Sequence, residues 1–209
     1  MIETQHPNNH AEAADTIAQL LLKVHLAGHG ETLSHLHRVA HYSTFIAQHL
    51  QWTPPQLSCL QTAALLHDIG KINVPLNLLN APRKLTPDEF QIVQRHTTFG
   101  AQIIASSSQN PTPCLLAAHT VALTHHEKWD GSGYPNKLRE HQIPEIGRIV
   151  AIADCFDALT FVRPYKPAWP FQKTIQFMHD QAGKAFDPSL IAILLDHQQE
   201  LHNAYLRYT

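Results

Sequence analysis

The 209-residue sequence predicts an all-α domain of about seven to eight helices. Three observations lead there. Apolar residues recur at three- and four-residue steps, no segment alternates convincingly as a strand would, and Pro or Gly stands wherever a helix should begin or end. Apolar residues are 44% of the chain, enough for one buried core. At ~100–200 residues per domain, the length fits one domain with a short appendage.

Residues 1–11 are polar and patternless and read as a frayed tail. From Ala11 to about Ala27 the pattern is helical, with Gly28 and Gly30 as the stop. We divide the chain there, into a tail with a leading helix (1–30) and one domain (31–209). Leu36, Val39, Ala40, Ser43, Ile46, Ala47 and Leu50 form the apolar stripe of a helix over about 31–50. Pro54 and Pro55 open the next, whose face carries Leu57, Leu60, Ala64 and His67 until Gly70 ends it. After a Pro-containing loop, Thr86-Pro87-Asp88-Glu89 is a helix start with Thr86 as N-cap. One helix is expected from there through Phe90, Val93, Thr97, Gly100 and Ile104, with His96 in its middle. Pro111 and Pro113 begin another that runs to about His126. Residues 127–143 are loop, 144–160 helix, and a Pro-rich loop leads to helices of roughly 171–183 and 188–206.

Formal charge is -2, with 15 Lys+Arg against 17 Asp+Glu. The balance argues against a nucleic-acid polymer as partner, since dedicated polyanion binders are strongly basic. An anionic substrate would need a few placed cations or metal. Met1-Ile-Glu-Thr lacks the basic start of a signal peptide, and no run reaches the ~20 apolar residues of a membrane span. Cys59, Cys114 and Cys155 are odd in number, scattered and without a CxxC pair. The expectation is reduced thiols in the cytoplasm.

Histidine occurs 17 times. Glu31 and His35 lie four apart, so on a helix they share a side and can share a cation. His67 and Asp68 are adjacent at a helix end, beside Gly70 and Lys71. His125 and His126 stand where a helix meets a glycine loop, and Asp154 interrupts an apolar run where an unpaired carboxylate would be costly. Imidazole and carboxylate without thiolate favour a first-row divalent ion over a structural zinc site. Two such ions ~3.5–4 Å apart can clamp a phosphodiester. Asp157 reads as a supporting residue or helix surface. His25, His29, His37, His41, His49, His119, His141, His179, His197 and His202 read as ordinary core or surface histidines.

The ordered series His67-Asp68-Ile-Gly-Lys71, KLTPDEF leading to His96, His125-His126-Glu-Lys-Trp-Asp-Gly-Ser-Gly-Tyr134-Pro135 and RIVAIADCFDALT resembles the HD-GYP phosphodiesterases, a branch of the HD metal-dependent phosphohydrolases. The resemblance runs from about Glu31 to Asp187 and implies an HD-domain helical bundle. It implies one metal held by His35, His67, Asp68 and Asp154 and a second by Asp68, His96, His125 and His126. Asp68 would bridge them, and Glu31 stands where some members hold a third. Fe(II) is the first choice by resemblance, with Mn(II) or another first-row metal as substitutes. The implied reaction is hydrolysis of cyclic di-GMP to linear pGpG or GMP by a metal-bridging hydroxide. Lys71 would then stabilise phosphorane charge, Arg163 and Lys166 would hold phosphate oxygens, and Tyr134 would touch the ligand. Diguanylate cyclase domains at the glycine-tyrosine loop and a homodimer are implied partners. Alternatives are another cyclic dinucleotide as substrate, or a non-catalytic cyclic di-GMP sensor or scaffold. Retention of every proposed ligand favours catalysis.

Overall fold

The computed structural model describes residues 33–162 and 167–208. The expected leading helix, Glu31, Arg163 and Lys166 lie outside the described residues. The architecture is helical throughout. Outside helices and turns, an isolated bridge between Ala182 and Phe186 is the nearest approach to a sheet among the described residues.

Helix α1 spans Leu33–His49 and α2 spans Pro54–Leu66. A 3-10 turn at Ile69–Asn73 follows, then the short α3 (Leu76–Leu79), α4 (Pro87–Gln94), α5 (His96–Ser106) and α6 (Pro113–Thr124). After the glycine loop and a 3-10 turn at Glu140–Gln142 come α7 (Glu145–Thr160), α8 (Phe171–Asp180), α9 (Pro188–Asp196) and α10 (Gln198–Leu206). Prolines occupy the first turns of α2, α4, α6 and α9, where the missing N–H costs no intrahelical bond. Thr86 caps α4 as expected, its hydroxyl accepting from the Glu89 amide while the Glu89 carboxylate accepts from the Thr86 amide.

α2 packs between α1 and α6, α6 also meets α5 and α7, and α7 returns against α1. Val39, Ile46, Leu60, Leu66, Val121, Ile149, Ile152 and Phe156 fill the centre. The C-terminal helices close the far side, with Met178, Leu190, Leu194 and Leu201 buried.

Three expectations are corrected. The single helix over 86–104 is two, broken at Arg95, which places His96 at the start of α5 rather than mid-helix. There the His96 ring takes the Val93 carbonyl at 2.7 Å and the Thr97 hydroxyl takes that of Gln94 at 2.9 Å. Side chains thus occupy carbonyls that a continuous helix would give to amides. The expected 188–206 helix is likewise divided at His197. Third, the cysteines are not all reduced and apart, because Cys59 of α2 and Cys114 of α6 are joined by a disulfide. Residues 55 positions apart in sequence meet because these two helices pack side by side. Cys155 is not in a disulfide.

Candidate metal centre

The buried ends of the central helices converge on one carboxylate. α2 ends at His67, and the turn that follows carries Asp68 and Lys71. Gly70 lets that turn approach α5 closely: a Cβ there would stand 1.9 Å from the His96 carbonyl oxygen and 2.3 Å from the Gly100 nitrogen. That close approach brings His96 to Asp68. α6 delivers His125 and His126, α1 delivers His35, and α7 delivers Asp154.

Asp68 faces both ways. Its Oδ1 lies 3.2 Å from His96 Nε2 and 3.7 Å from His125 Nε2. Its Oδ2 lies 3.1 Å from His67 Nε2 and 2.6 Å from Lys71 Nζ. Two groups of ligand-type atoms result, each within 4.8 Å: Asp68, His96, His125 and His126 in one, and His35, His67 and Asp154 in the other. His35 Nε2 stands 3.6 Å from Asp154 Oδ1.

The tautomers decide what these atoms can do. A backbone carbonyl only accepts, so an imidazole nitrogen bonded to one must carry the proton. His67 Nδ1 donates to the Ala64 carbonyl at 2.7 Å, His96 Nδ1 to Val93 at 2.7 Å and His125 Nδ1 to Val121 at 2.9 Å. On a neutral ring, each Nε2 then presents a lone pair to the Asp68 carboxylate, which is also an acceptor. Two buried acceptors 3.2 Å apart repel unless a cation lies between them. His67 Nε2 and Asp68 Oδ1 are buried without a hydrogen-bond partner. The donor set therefore fits divalent metal, with each ring oriented through its other nitrogen as metal-ligating histidines usually are.

At His96 and His126 the electrostatics agree. Burial pushes the His96 pKa down to about 4 and holds His126 well below its usual value, with neighbouring imidazoles adding to the effect. Both are neutral and ready to ligate near pH 7. Burial opposes charge on Asp68, but Lys71 and His67 outweigh it and hold the carboxyl well below the usual range. Burial also works against charge on His67, where the adjacent Asp68 carboxylate prevails and raises its pKa.

Several residues that shape the site escaped the sequence reading or entered it only as support. Asp157, one turn beyond Asp154, is buried and accepts from His35 Nδ1 at 2.6 Å. Arg38, one turn beyond His35, donates to the same carboxylate through Nε and Nη2 and sits with Cζ over the Phe161 ring, 3.7 Å from its centroid. The sequence signal for that pairing was the matching three-residue step on both helices. Glu127 was overlooked. Its buried carboxylate accepts from the Asn136 amide at 2.7 Å and the Leu138 amide at 3.1 Å, and so holds the glycine loop in its curve. Gly133 packs directly on that residue, where a Cβ would come within 2.5 Å of the Glu127 Cα. The loop in turn lays the Tyr134 ring against His126, with centroids 4.8 Å apart, and within 6.3 Å of His96.

A family model described as HD domain matches residues 11–190. The chain belongs to the HD domain family. The uninterrupted His125–Pro135 stretch places it in the HD-GYP branch. It is 41% identical over 85% of its length to a cyclic di-GMP phosphodiesterase from Thermotoga maritima, of which it spans 47%. A 3'3'-cGAMP-specific phosphodiesterase 2 from Vibrio cholerae is 40% identical over 81% of this chain, which spans 32% of that relative. Among solved structures, an HDG"Y"P protein from Bdellovibrio bacteriovorus superposes with a TM-score of 0.60 at 26% identity, over 79% of this chain and 51% of the other. The HD-GYP chain thus spans half or less of the curated relatives' lengths. Among its described residues no helix is long and apolar enough to cross a membrane.

Proposed function

We propose that the chain is a metal-dependent phosphodiesterase that hydrolyses cyclic di-GMP to the linear dinucleotide or GMP. The observation that carries the reading is the inward array of histidine Nε2 lone pairs around one buried carboxylate, each ring fixed by a carbonyl on its outer nitrogen. Relatives at about 40% identity whose names specify cyclic dinucleotide phosphodiesterases support the substrate class.

His35, His67, Asp68 and Asp154 would hold one ion, and Asp68, His96, His125 and His126 a second, with Asp68 between them. Fe(II) or Mn(II) suits this set of imidazoles and carboxylates. Glu31 is proposed as a ligand to a third. When bound, the ions supply Lewis acidity toward the phosphodiester and lower the pKa of the attacking water.

The protein side chains do the rest. Lys71 Nζ, 2.6 Å from Asp68 Oδ2, sets a positive charge beside the centre where phosphorus gains negative charge. Tyr134 walls the mouth, and burial together with the Asp68 charge raises its pKa, so the phenol stays protonated and able to donate to a phosphate oxygen. Arg163 and Lys166 are proposed as further phosphate contacts on the strength of the resemblance. Residence in the cytoplasm belongs to the same proposal.

The test is anaerobic turnover of cyclic di-GMP by protein reconstituted with ferrous iron or manganese, with bound metal counted on the same sample. Hydrolysis by the wild type that is lost in Asp68→Ala is the expected result. Full metal loading and tight dinucleotide binding without turnover would overturn catalysis and leave a sensor.

A further inference from the structure

We propose that the cleft on the α7–α8 side of the metal centre is a subsite for one purine base, and that Gln181 reads the base edge so as to accept guanine and adenine alike. The inference rests on the diesterase reading and deepens it. The cleft encloses about 340 Å³ and is lined in part by His125, His126 and Asp154. It is therefore continuous with the metal centre, and a dinucleotide with its phosphate at the centre has one nucleoside directed into it. The volume lies in the range of small-molecule sites, ~300–1,000 Å³.

Its walls suit a flat heteroaromatic ring. Phe177 and Phe186 supply aromatic surface, while Ala151, Ala158 and Ala185 keep the interior open. Gln181, at the end of α8, lines the same cleft. The Gln181 backbone is committed to the turn: its carbonyl accepts from the amides of Lys184, Ala185 and Phe186 at 3.1, 3.1 and 3.2 Å. The side-chain amide bonds no other described residue and remains available to a ligand.

The subsite is formed in advance. The turn after α8 is tied to the glycine loop by two backbone bonds, Trp129 N–H to the Ala185 carbonyl at 3.1 Å and Asp130 N–H to that of Lys184 at 2.8 Å. A ligand need not order either wall, which lowers the entropic cost of binding.

The chemistry of the amide sets the specificity. A glutamine offers one acceptor and one donor side by side. Adenine presents its exocyclic N–H beside a ring nitrogen acceptor, and guanine presents its N1–H beside the O6 acceptor. Turning the amide over satisfies either base. A carboxylate at this position only accepts, so it would pair with the two N–H groups of guanine and repel the ring nitrogen of adenine.

The test measures dissociation constants by calorimetry for hydrolysis-resistant phosphorothioate analogues of cyclic di-GMP and cyclic di-AMP, on the metal-reconstituted full chain. Gln181→Leu should weaken both about tenfold, the effect of a lost buried hydrogen-bond pair. Gln181→Glu should raise the preference for the guanine compound by about tenfold or more over the wild-type ratio. Metal content equal to wild type in each variant shows an intact fold. A ratio within twofold of wild type in Gln181→Glu would overturn the subsite while leaving the diesterase reading in place. Failure of the loaded wild type to bind either compound would overturn both.

Discussion

Two histidine clusters stand at the two ends of α1, and they differ in what holds the rings. At the metal centre, His67, His96 and His125 are buried and each gives its Nδ1 proton to a backbone carbonyl. At the far end of α1, His49 and His197 are partly exposed and stack face to face at 3.7 Å, with Glu200 at 3.6 Å from each. Both groups place three or more ligand-type atoms within 4.8 Å. The first group has its lone pairs aimed inward by the backbone and its carboxylate buried. The second must arrest exposed side chains before it can bind anything. Orientation by the second nitrogen, rather than proximity, separates a metal site from a meeting of histidines.

Removing the shared carboxylate should have the largest effect. On the proposed arrangement Asp68→Ala takes a ligand atom from both halves of the centre and removes one ion-pair partner of Lys71. Turnover should fall on the order of 10³-fold or more, as when one member of an interdependent constellation is lost. Metal analysis on the same sample should show ions lost, and retention of both would separate Asp68 from the bridging role.

The frame is a different matter from the site. α2 and α6 carry His67 and His125 at one end and the Cys59–Cys114 bond some turns away. Opening that bond with reductant, or substituting Cys59→Ser, frees a long loop in the unfolded chain and should cost about 2–4 kcal/mol. Denaturant midpoints should drop while metal affinity of the folded protein holds. A parallel loss of metal would mean that the helix pair, and not the carbonyl-locked rings, sets the centre.

Asp157 tests the orientation argument directly. It never touches the ligand face of His35, only Nδ1 behind it. Asp157→Ala should weaken metal binding at the His35 half by about 10–100-fold, the range for partners behind a ligand. Competition with a chelator would resolve it from the Asp68, His96, His125 and His126 half, which should be untouched.

The candidate ligand residues were legible because each is a residue type that can ligate, set against a pattern it interrupts: Asp154 in an apolar run, His67-Asp68 at a helix end, the histidine pair before a glycine loop. Helices with a proline start and an apolar stripe were legible for a similar reason, since local chemistry sets both. What stayed hidden depends on distant neighbours. The break at Arg95 follows from His96 and Thr97 taking carbonyls that a plain helix would use, and nothing in the local apolar spacing announces it. Cys59 and Cys114 meet only because α2 and α6 lie in one register. Glu127 sits inside the most recognisable stretch of the chain, yet its role is to receive amides nine and eleven residues away, which spacing alone does not reveal.

The smallest effect belongs to the surface cluster, and it is the sharpest check on the comparison. His197 turns its Nδ1 toward Glu200 rather than toward a carbonyl, and the two rings lie only 16° from parallel. Ordering Glu200, whose side chain is 64% exposed, would cost rotamer entropy of about 0.5–1.5 kcal/mol before any bond to metal formed. Combining His49→Ala with His197→Ala should therefore leave the number of bound ions unchanged when the protein is reconstituted and passed through a desalting column. Stability should move by about 1 kcal/mol or less, since what is lost is a half-exposed stack. One ion fewer in the double variant would show that proximity suffices after all, and that locked rings are not what distinguishes the centre.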